Sequence, residues 1–400
     1  MGSEWINTEW GELATLEYGK GLRNYQDSFG SYRVYGTNGP IGWHDVPLCN
    51  HPGVIIGRKG AYRGVHFSPE PFFVIDTAFY LEPKIDLDIR WAYYQLLTVD
   101  INGMDSGSAI PSTSREAFYR LPVTLPPLPE QRAIAAVLGA LDDKIELNRR
   151  MNGTLEGMAR ALFKSWFVDF DPVRAKMDGR PAGLPAEIEA LFPDRMEMGE
   201  DGVERPRGWE VGSLENYSDL NPESWSKKTR PPHIDYLDLS NAKWGRIESI
   251  ISYTQENAPS RAQRILRTGD TIVGTVRPGN GSYALITNNG LTGSTGFAVL
   301  RPHQKDFSEF VYLAATNSEN IERLSHLADG GAYPAVRPEV VLATQTIQPS
   351  IELVSEFHKH VYPLLFKIAA NAAESRTLAA LRDGLLPKLM SGEVRVNITI

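Results

Sequence analysis

Between Pro126 and Phe170, apolar residues recur three and four positions apart at Ile134, Leu138, Leu141, Ile145, Leu155, Leu162 and Trp166. This is the spacing of one seam on a long helix that needs a partner helix. Polar Asn148 and Asn152 interrupt the seam. A seam Asn costs stability but fixes register, because slippage removes its hydrogen-bond partner. The same spacing returns between Ile351 and Met390 at Val361, Leu364, Ile368, Leu378, Leu385 and Leu389. Displaced by 223 positions, Ile145 falls on Ile368, Asn148 on Asn371, Thr154 on Thr377, Leu155 on Leu378 and Leu162 on Leu385. The chain therefore reads as a duplicated unit in which a helix closes each copy. Pro363, inside the second pattern, removes a backbone donor and is expected to kink or split that helix.

The region ahead of each helix has a different pattern. Residues 1–128 are rich in Gly, Pro, Tyr and Phe, with short β-branched or alternating runs at Gly53–Ile56 and Phe72–Tyr80. They read as short strands joined by tight turns, with Asn38-Gly39 in YGTNGPIGW as a hairpin signal. LPPLPEQ closes the segment, since prolines deny it helix or sheet and are tolerated in a helix's first turn. After the first helix (129–172), residues 173–208 are full of Pro, Gly and charge and read as a surface linker with a short helix near Pro185–Leu191. Residues 209–349 replay the first segment, and 350–400 hold the second helix and a tail. Thr77, Phe79 and Pro83 match Thr295, Phe297 and Pro302, and Ser108-Ala109-Ile110-Pro111 matches Gly331-Ala332-Tyr333-Pro334. The predicted fold is α/β (α+β): two globular domains separated by two long helices packed as an antiparallel coiled coil, in a pseudo-two-fold internal repeat. Divergent loops on one scaffold suggest two related sites with different ligands.

Four hundred residues exceed a single ordinary core. No apolar run is long enough to cross a bilayer, and the start MGSEWINTEW lacks a secretory pattern, so a cytoplasmic location is expected. Cys49 is the sole cysteine, which excludes an internal disulfide and a thiolate zinc cluster. Net charge is −8, with 10 basic and 14 acidic residues in 1–128 and 13 and 15 in 209–349. Any nucleic-acid contact must then come from local clusters.

The search for chemistry returns little. Gly19-Lys20-Gly21 lacks the rest of a phosphate-binding loop. His44, Cys49 and His51 read as structural, and no metal site is expected. Neither Asp171-Pro172-Val173 nor Asn221-Pro222-Glu223 carries a methyltransfer motif. Asp76, Glu82 and Lys84 are the residue types of a self-contained Mg-dependent DNA endonuclease, but the second copy does not repeat them. The better lead is a basic, Gly-rich loop in each copy. GRKGAYRG offers Arg58, Lys59, Tyr62 and Arg63, and VRPGNGSY offers Arg277, Asn280, Ser282 and Tyr283. Arg reads guanine, Asn reads adenine, and Lys or Ser holds phosphate; the competing reading is a solvated hairpin tip. A coiled-coil scaffold without nucleic acid also stays open.

LPPLPEQRAIAAVLGALDDKIELNRR followed by TLEGMARALFKSWFVDFDPV resembles the spacer of the specificity subunit of type I restriction-modification systems. YGTNGPIG and GSAIPSTS are similar to pieces of that family's first target-recognition domain. The resemblance implies a non-catalytic DNA reader with no cofactor of its own. Each recognition domain would read half of a bipartite double-stranded target while the helices set the gap. Partners would be two modification subunits that bind S-adenosylmethionine, and restriction subunits that use ATP and Mg. The second spacer, IQPSIELVSEF, keeps only Pro349 and Glu352 of the LPPLPEQ signature.

Overall fold

The computed structural model describes residues 5–23, 25, 29–104, 111–226, 228–328 and 334–396. The chain forms two units, Met1–Asn148 with Ala373–Ile400, and Arg149–Ala372.

The first unit opens with β1 (Ile6–Glu9), α1 (Trp10–Leu13), β2 (Ala14–Tyr18), β3 (Tyr32–Gly36), β4 (Gly39–His44) and β5 (Gly53–Gly57). It continues with β6 (Val65–Ser68), β7 (Phe72–Val74), β8 (Ala78–Pro83), α2 (Ile89–Leu97), α3 (Arg115–Tyr119) and β9 (Pro122–Leu125). The run predicted from Phe72 to Tyr80 is two strands in different sheets, separated by a turn at Ile75–Thr77. One sheet has the order β2-β8-β5-β6, all antiparallel; the other is β4-β3-β7, with β3 parallel to β7. All five residues of β5 are buried, as a central strand covered on both faces requires. Gly39, at φ +107, closes the β3–β4 hairpin. Trp10, Trp91 and Phe118 fill the core, joined by Leu389 and Met390 from the C-terminal helix.

Two 40-residue helices, α4 (Leu128–Phe167) and α10 (Ile351–Met390), each give one part to each unit. Between them come α5 (Asp171–Met177), α6 (Ala186–Glu189), β10 (Met196–Met198), β11 (Glu204–Pro206), β12 (Glu210–Ser213), β13 (Ser218–Leu220) and β14 (His233–Leu237). Next are β15 (Ala242–Lys243), β16 (Arg246–Ile247), β17 (Ile251–Thr254), β18 (Ala262–Ile265), β19 (Thr271–Gly274) and β20 (Tyr283–Leu285). The second unit is completed by β21 (Leu291–Ser294), β22 (Phe297–Pro302), α7 (Ser308–Ala315), α8 (Ser318–Ala328), α9 (Pro338–Leu342) and β23 (Gln345–Gln348).

Its sheets repeat the first unit's. Order β13-β22-β19-β20 replays β2-β8-β5-β6, and β17-β14-β21 replays β4-β3-β7 with β18 added. The ladders place Gly57 opposite Ala78 and Gly274 opposite Phe297, so Ala78 corresponds to Phe297, Pro83 to Pro302 and Glu82 to Arg301. The match of Thr77 and Phe79 to Thr295 and Phe297 is therefore one position out of step, because position in the sheet and not residue identity fixes the correspondence. The segment read as a surface linker is partly internal. Val173, Ile188, Phe192 and Met196 are buried against Trp166, Phe170 and Trp209, since its apolar residues cover the end of α4.

Within the first unit, Asp142 accepts from Arg382 at 2.7 Å and Asn148 donates to Glu374 at 2.9 Å. Within the second, Asn371 donates to Asn152 at 2.9 Å and Phe163 meets Phe357 at 6.1 Å between ring centres. In both units rising positions on α4 meet falling positions on α10, an antiparallel pair. Ile134, Leu138, Asn148, Val361 and Asn371 are buried, and Leu141, Ile145, Leu155, Leu162, Leu364, Ile368, Leu378 and Leu385 are half-buried. Pro363 does not split α10, which is continuous to Met390. Pro363 and Lys359 lie on the exposed side, where water can satisfy the carbonyl that proline leaves without its amide.

Candidate nucleic-acid interface

In each unit three separate segments meet where the predicted loop leaves the sheet. In the first, Arg58 and Lys59 donate backbone amides to Thr77 O at 2.9 and 3.2 Å, while Gly60 N donates to Pro111 O at 3.0 Å and Thr113 N to Arg58 O at 2.9 Å. In the second, Thr275 N donates to Gly296 O at 2.8 Å, Arg277 N to Pro334 O at 2.9 Å and Val336 N to Thr275 O at 2.9 Å. Each bond of the second junction thus has its counterpart in the first. Of the repeated motifs that supply the third segment, Ser108–Ile110 and Gly331–Tyr333 lie outside the described residues, and only Pro111 and Pro334 are seen.

The first loop turns one predicted contact inward. Arg63 is 3% exposed; its guanidinium donates to Gly60 O at 3.2 Å and Asn102 O at 2.7 Å, and its amide to Asn102 Oδ1 at 2.8 Å. It holds the loop in shape and cannot face a ligand, because a buried guanidinium must spend its donors internally. Lys59 and Tyr62 are exposed, Tyr62 at 80%. Arg58 is half-buried, donates to Asp76 O at 2.9 Å, and lies 4.8 Å from the Tyr18 ring centre. Arg115 covers the same ring at 5.0 Å. Its hydrogen bonds to the Tyr119 hydroxyl raise its pKa above the ordinary arginine value. Tyr18 and Arg115 thus join the basic face. They lie nearly a hundred positions apart, so no local pattern could have found them.

The second loop keeps Arg277 and Asn280 exposed. Arg277 has φ +47, a left-handed conformation unusual for a non-glycine side chain. Ser282 and Tyr283 are each only 5% exposed. The sheet explains the error: Ser282 takes the place of Gly64, and Tyr283 begins β20, where it packs inward. Burial pushes the Tyr283 hydroxyl above its ordinary value, with Arg160 3.5 Å away. The residue missed here is Trp244, 54% exposed. With Gly245 it forms the two-residue turn of the β15–β16 hairpin, both at positive φ, which suits a type I′ turn. Its indole packs on Gly281, where an added Cβ would come within 2.4 Å of the ring. Lys243 and Arg246 flank it.

Asp76, Glu82 and Lys84 do not form a metal-dependent nuclease site. Asp76 precedes β8 while Glu82 and Lys84 lie at its far end, roughly 20 Å away at about 3.3 Å per residue. The Lys84 ammonium donates to Gly11 O at 2.5 Å.

Residues 46–157, from the approach to β5 into α4, match the model for the type I restriction modification DNA specificity domain. Over 355 residues the chain is 28% identical to the type I restriction enzyme HindI specificity subunit of Haemophilus influenzae, covering 76% of this chain and 74% of that protein. In sequence the chain is thus similar to type I specificity subunits. A specificity subunit of Methanocaldococcus jannaschii, MjaIX, is 23% identical across 79% of this chain and 71% of its own. The crystal structure of a type I restriction-modification S subunit from M. genitalium shares the fold, with a TM-score of 0.63 over 99% of this chain and 97% of that one at 16% identity.

The structure gives the LPPLPEQ motif a physical role. Gln131, buried, accepts from Asp88 N at 3.0 Å and donates to Pro126 O at 2.8 Å. It ties the start of α4 to α2. Glu130, 5% exposed, accepts from Trp5 Nε1 at 2.9 Å and from Arg395. In the second spacer the start of α10 uses a simple cap, Leu353 N on Ser350 Oγ at 3.2 Å, and Glu352 is exposed. Among the described residues no helix is long and apolar enough to cross a membrane.

Proposed function

We propose that the chain is a specificity subunit in which each unit reads one half of a bipartite double-stranded DNA target. The first would use Arg58, Lys59 and Tyr62 with Tyr18 and Arg115, and the second Arg277, Asn280 and Trp244. One observation carries the reading: the same three-segment junction recurs in both units and presents exposed basic and aromatic side chains. Aromatic rings beside guanidinium groups suit sugar, base and phosphate together. An overall negative charge fits contacts confined to such faces. On this reading α4 and α10 set the gap between half-sites and dock two modification subunits. S-adenosylmethionine, and the ATP and Mg used by restriction subunits, would be held by those partners.

The test is a matched insertion of four residues between Asn148 and Asn152 and between Asn371 and Ser375. Both helices lengthen by about 6 Å, near two base pairs at about 3.4 Å each. Methylation mapping of the assembled complex should find the gap grown by one or two base pairs and both half-sites intact. An unchanged gap, or altered half-sites, would remove the helices as the ruler.

A further inference from the structure

We propose that Cys49, His51 and Glu82 form a binding site for one borderline-soft divalent metal, zinc being the natural choice, at the end of the first unit's central sheet. Among the described residues this trio forms a group of potential ligands, with its ligand atoms all within 4.8 Å of one another. Cys49 Sγ lies 3.5 Å from both His51 Nδ1 and Nε2, and Nε2 lies 3.4 Å from Glu82 Oε2. Tetrahedral zinc, with Zn–S of about 2.3 Å and Zn–N or Zn–O of about 2.0–2.1 Å, sets those edges at about 3.5 and 3.3 Å. Closing the set needs the His51 ring to turn its Nε2 lone pair toward the sulfur and Glu82 to rotate, and both side chains are nearly half exposed, at 46% and 45%.

Two further features favour a ligand set over a chance ion pair. His51 Nδ1 lies 2.9 Å from Pro52 O. A proton donated there leaves the Nε2 lone pair free for a metal, the tautomer that metal-bound imidazoles adopt. Cys49 is fixed by backbone bonds to Phe72 in both directions, so its thiol is held in place. The second unit offers a contrast. At the position of Glu82 it has Arg301, whose guanidinium pairs with Asp270 at 2.8 Å and with Glu223. The Arg267 and Arg301 guanidinium groups hold the Glu223 carboxyl down at about 2. One copy cross-links this end of the sheet with an ion-pair network, and the other brings soft and hard ligands together there. Binding exchanges the thiol proton for the metal and leaves a fourth position for water. A thiolate and an imidazole select zinc or cobalt(II) over magnesium.

The experiment uses the full chain, without a histidine tag and stripped with chelator. Cobalt(II) titration should saturate at one equivalent, with a thiolate-to-metal charge-transfer band and the intense visible absorption of tetrahedral cobalt. Zinc should displace it and slow modification of Cys49, the sole thiol, at least tenfold. The near-isosteric Cys49→Ser should abolish the charge-transfer band, and Glu82→Gln should weaken binding about tenfold with the far-ultraviolet circular dichroism of both variants unchanged. Absence of stoichiometric binding, or cobalt binding that survives Cys49→Ser with its spectrum intact, overturns the proposal and leaves His51 and Glu82 as a surface ion pair.

Discussion

Arg63 offers the sharpest separation between shaping a loop and contacting a ligand. Replacing it with Met keeps most of the apolar stem and removes only the guanidinium. Two well-formed bonds are lost, to Gly60 O and Asn102 O. Bonds from a charged donor contribute about 1.5–3 kcal/mol each. Gly60 is half-buried and Asn102 exposed, so both carbonyls regain some water and the net cost falls to about 2–3 kcal/mol. For a unit of this size that lowers the melting temperature by roughly 4–12 °C. Hydrogen exchange by mass spectrometry checks where: protection should fall in the Gly57–Gly64 loop and around Ile101, and stay unchanged in Arg149–Ala372. Lys59→Ala, on the exposed side of the same loop, should leave melting and exchange unaltered. If Arg63→Met melted within about 1 °C of the parent while Lys59→Ala destabilised it, the inward placement of Arg63 would be refuted.

Other outcomes follow from the same geometry. In the assembled complex, Lys59→Ala should reduce the slope of log affinity against log salt by about one, measured by fluorescence anisotropy on target DNA. Arg277→Ala should relax discrimination in one half-site by about 1–3 kcal/mol if it contacts a base, read from binding to single-substitution duplexes. Asn371→Ala removes the buried donor to Asn152 and should cost about 1–3 kcal/mol in urea unfolding. The buried Glu309 carboxylate, 2.5 Å from the His358 imidazole, raises that ring's pKa above its ordinary value, with Asp306 adding to the effect. A folded pKa above the unfolded one contributes stability that is full below about pH 6.5 and is lost as pH rises through the raised value. His358→Gln should therefore flatten the fall in thermal stability of the second unit between about pH 6 and 8.

The helices and the duplication were legible in the sequence because both rest on periodicity, which a one-dimensional pattern records. Ile134, Leu138, Asn148, Val361 and Asn371 are spaced for one buried face, and the helix buries them. Pro363 does not split the second helix: the pattern shows that proline removes a bond, not that the affected carbonyl lies on the exposed side. The loops were legible as loops, from glycine and charge. Which side chains face outward was not, because Arg63 turns in to meet Asn102 and Ser282 and Tyr283 are drawn into the sheet. Tyr18 with Arg115, Trp244 over Gly281, and Glu82 beside Cys49 and His51 are juxtapositions between segments far apart in the chain. Sheet order creates them, and sheet order depends on long-range pairing that local residue patterns do not encode.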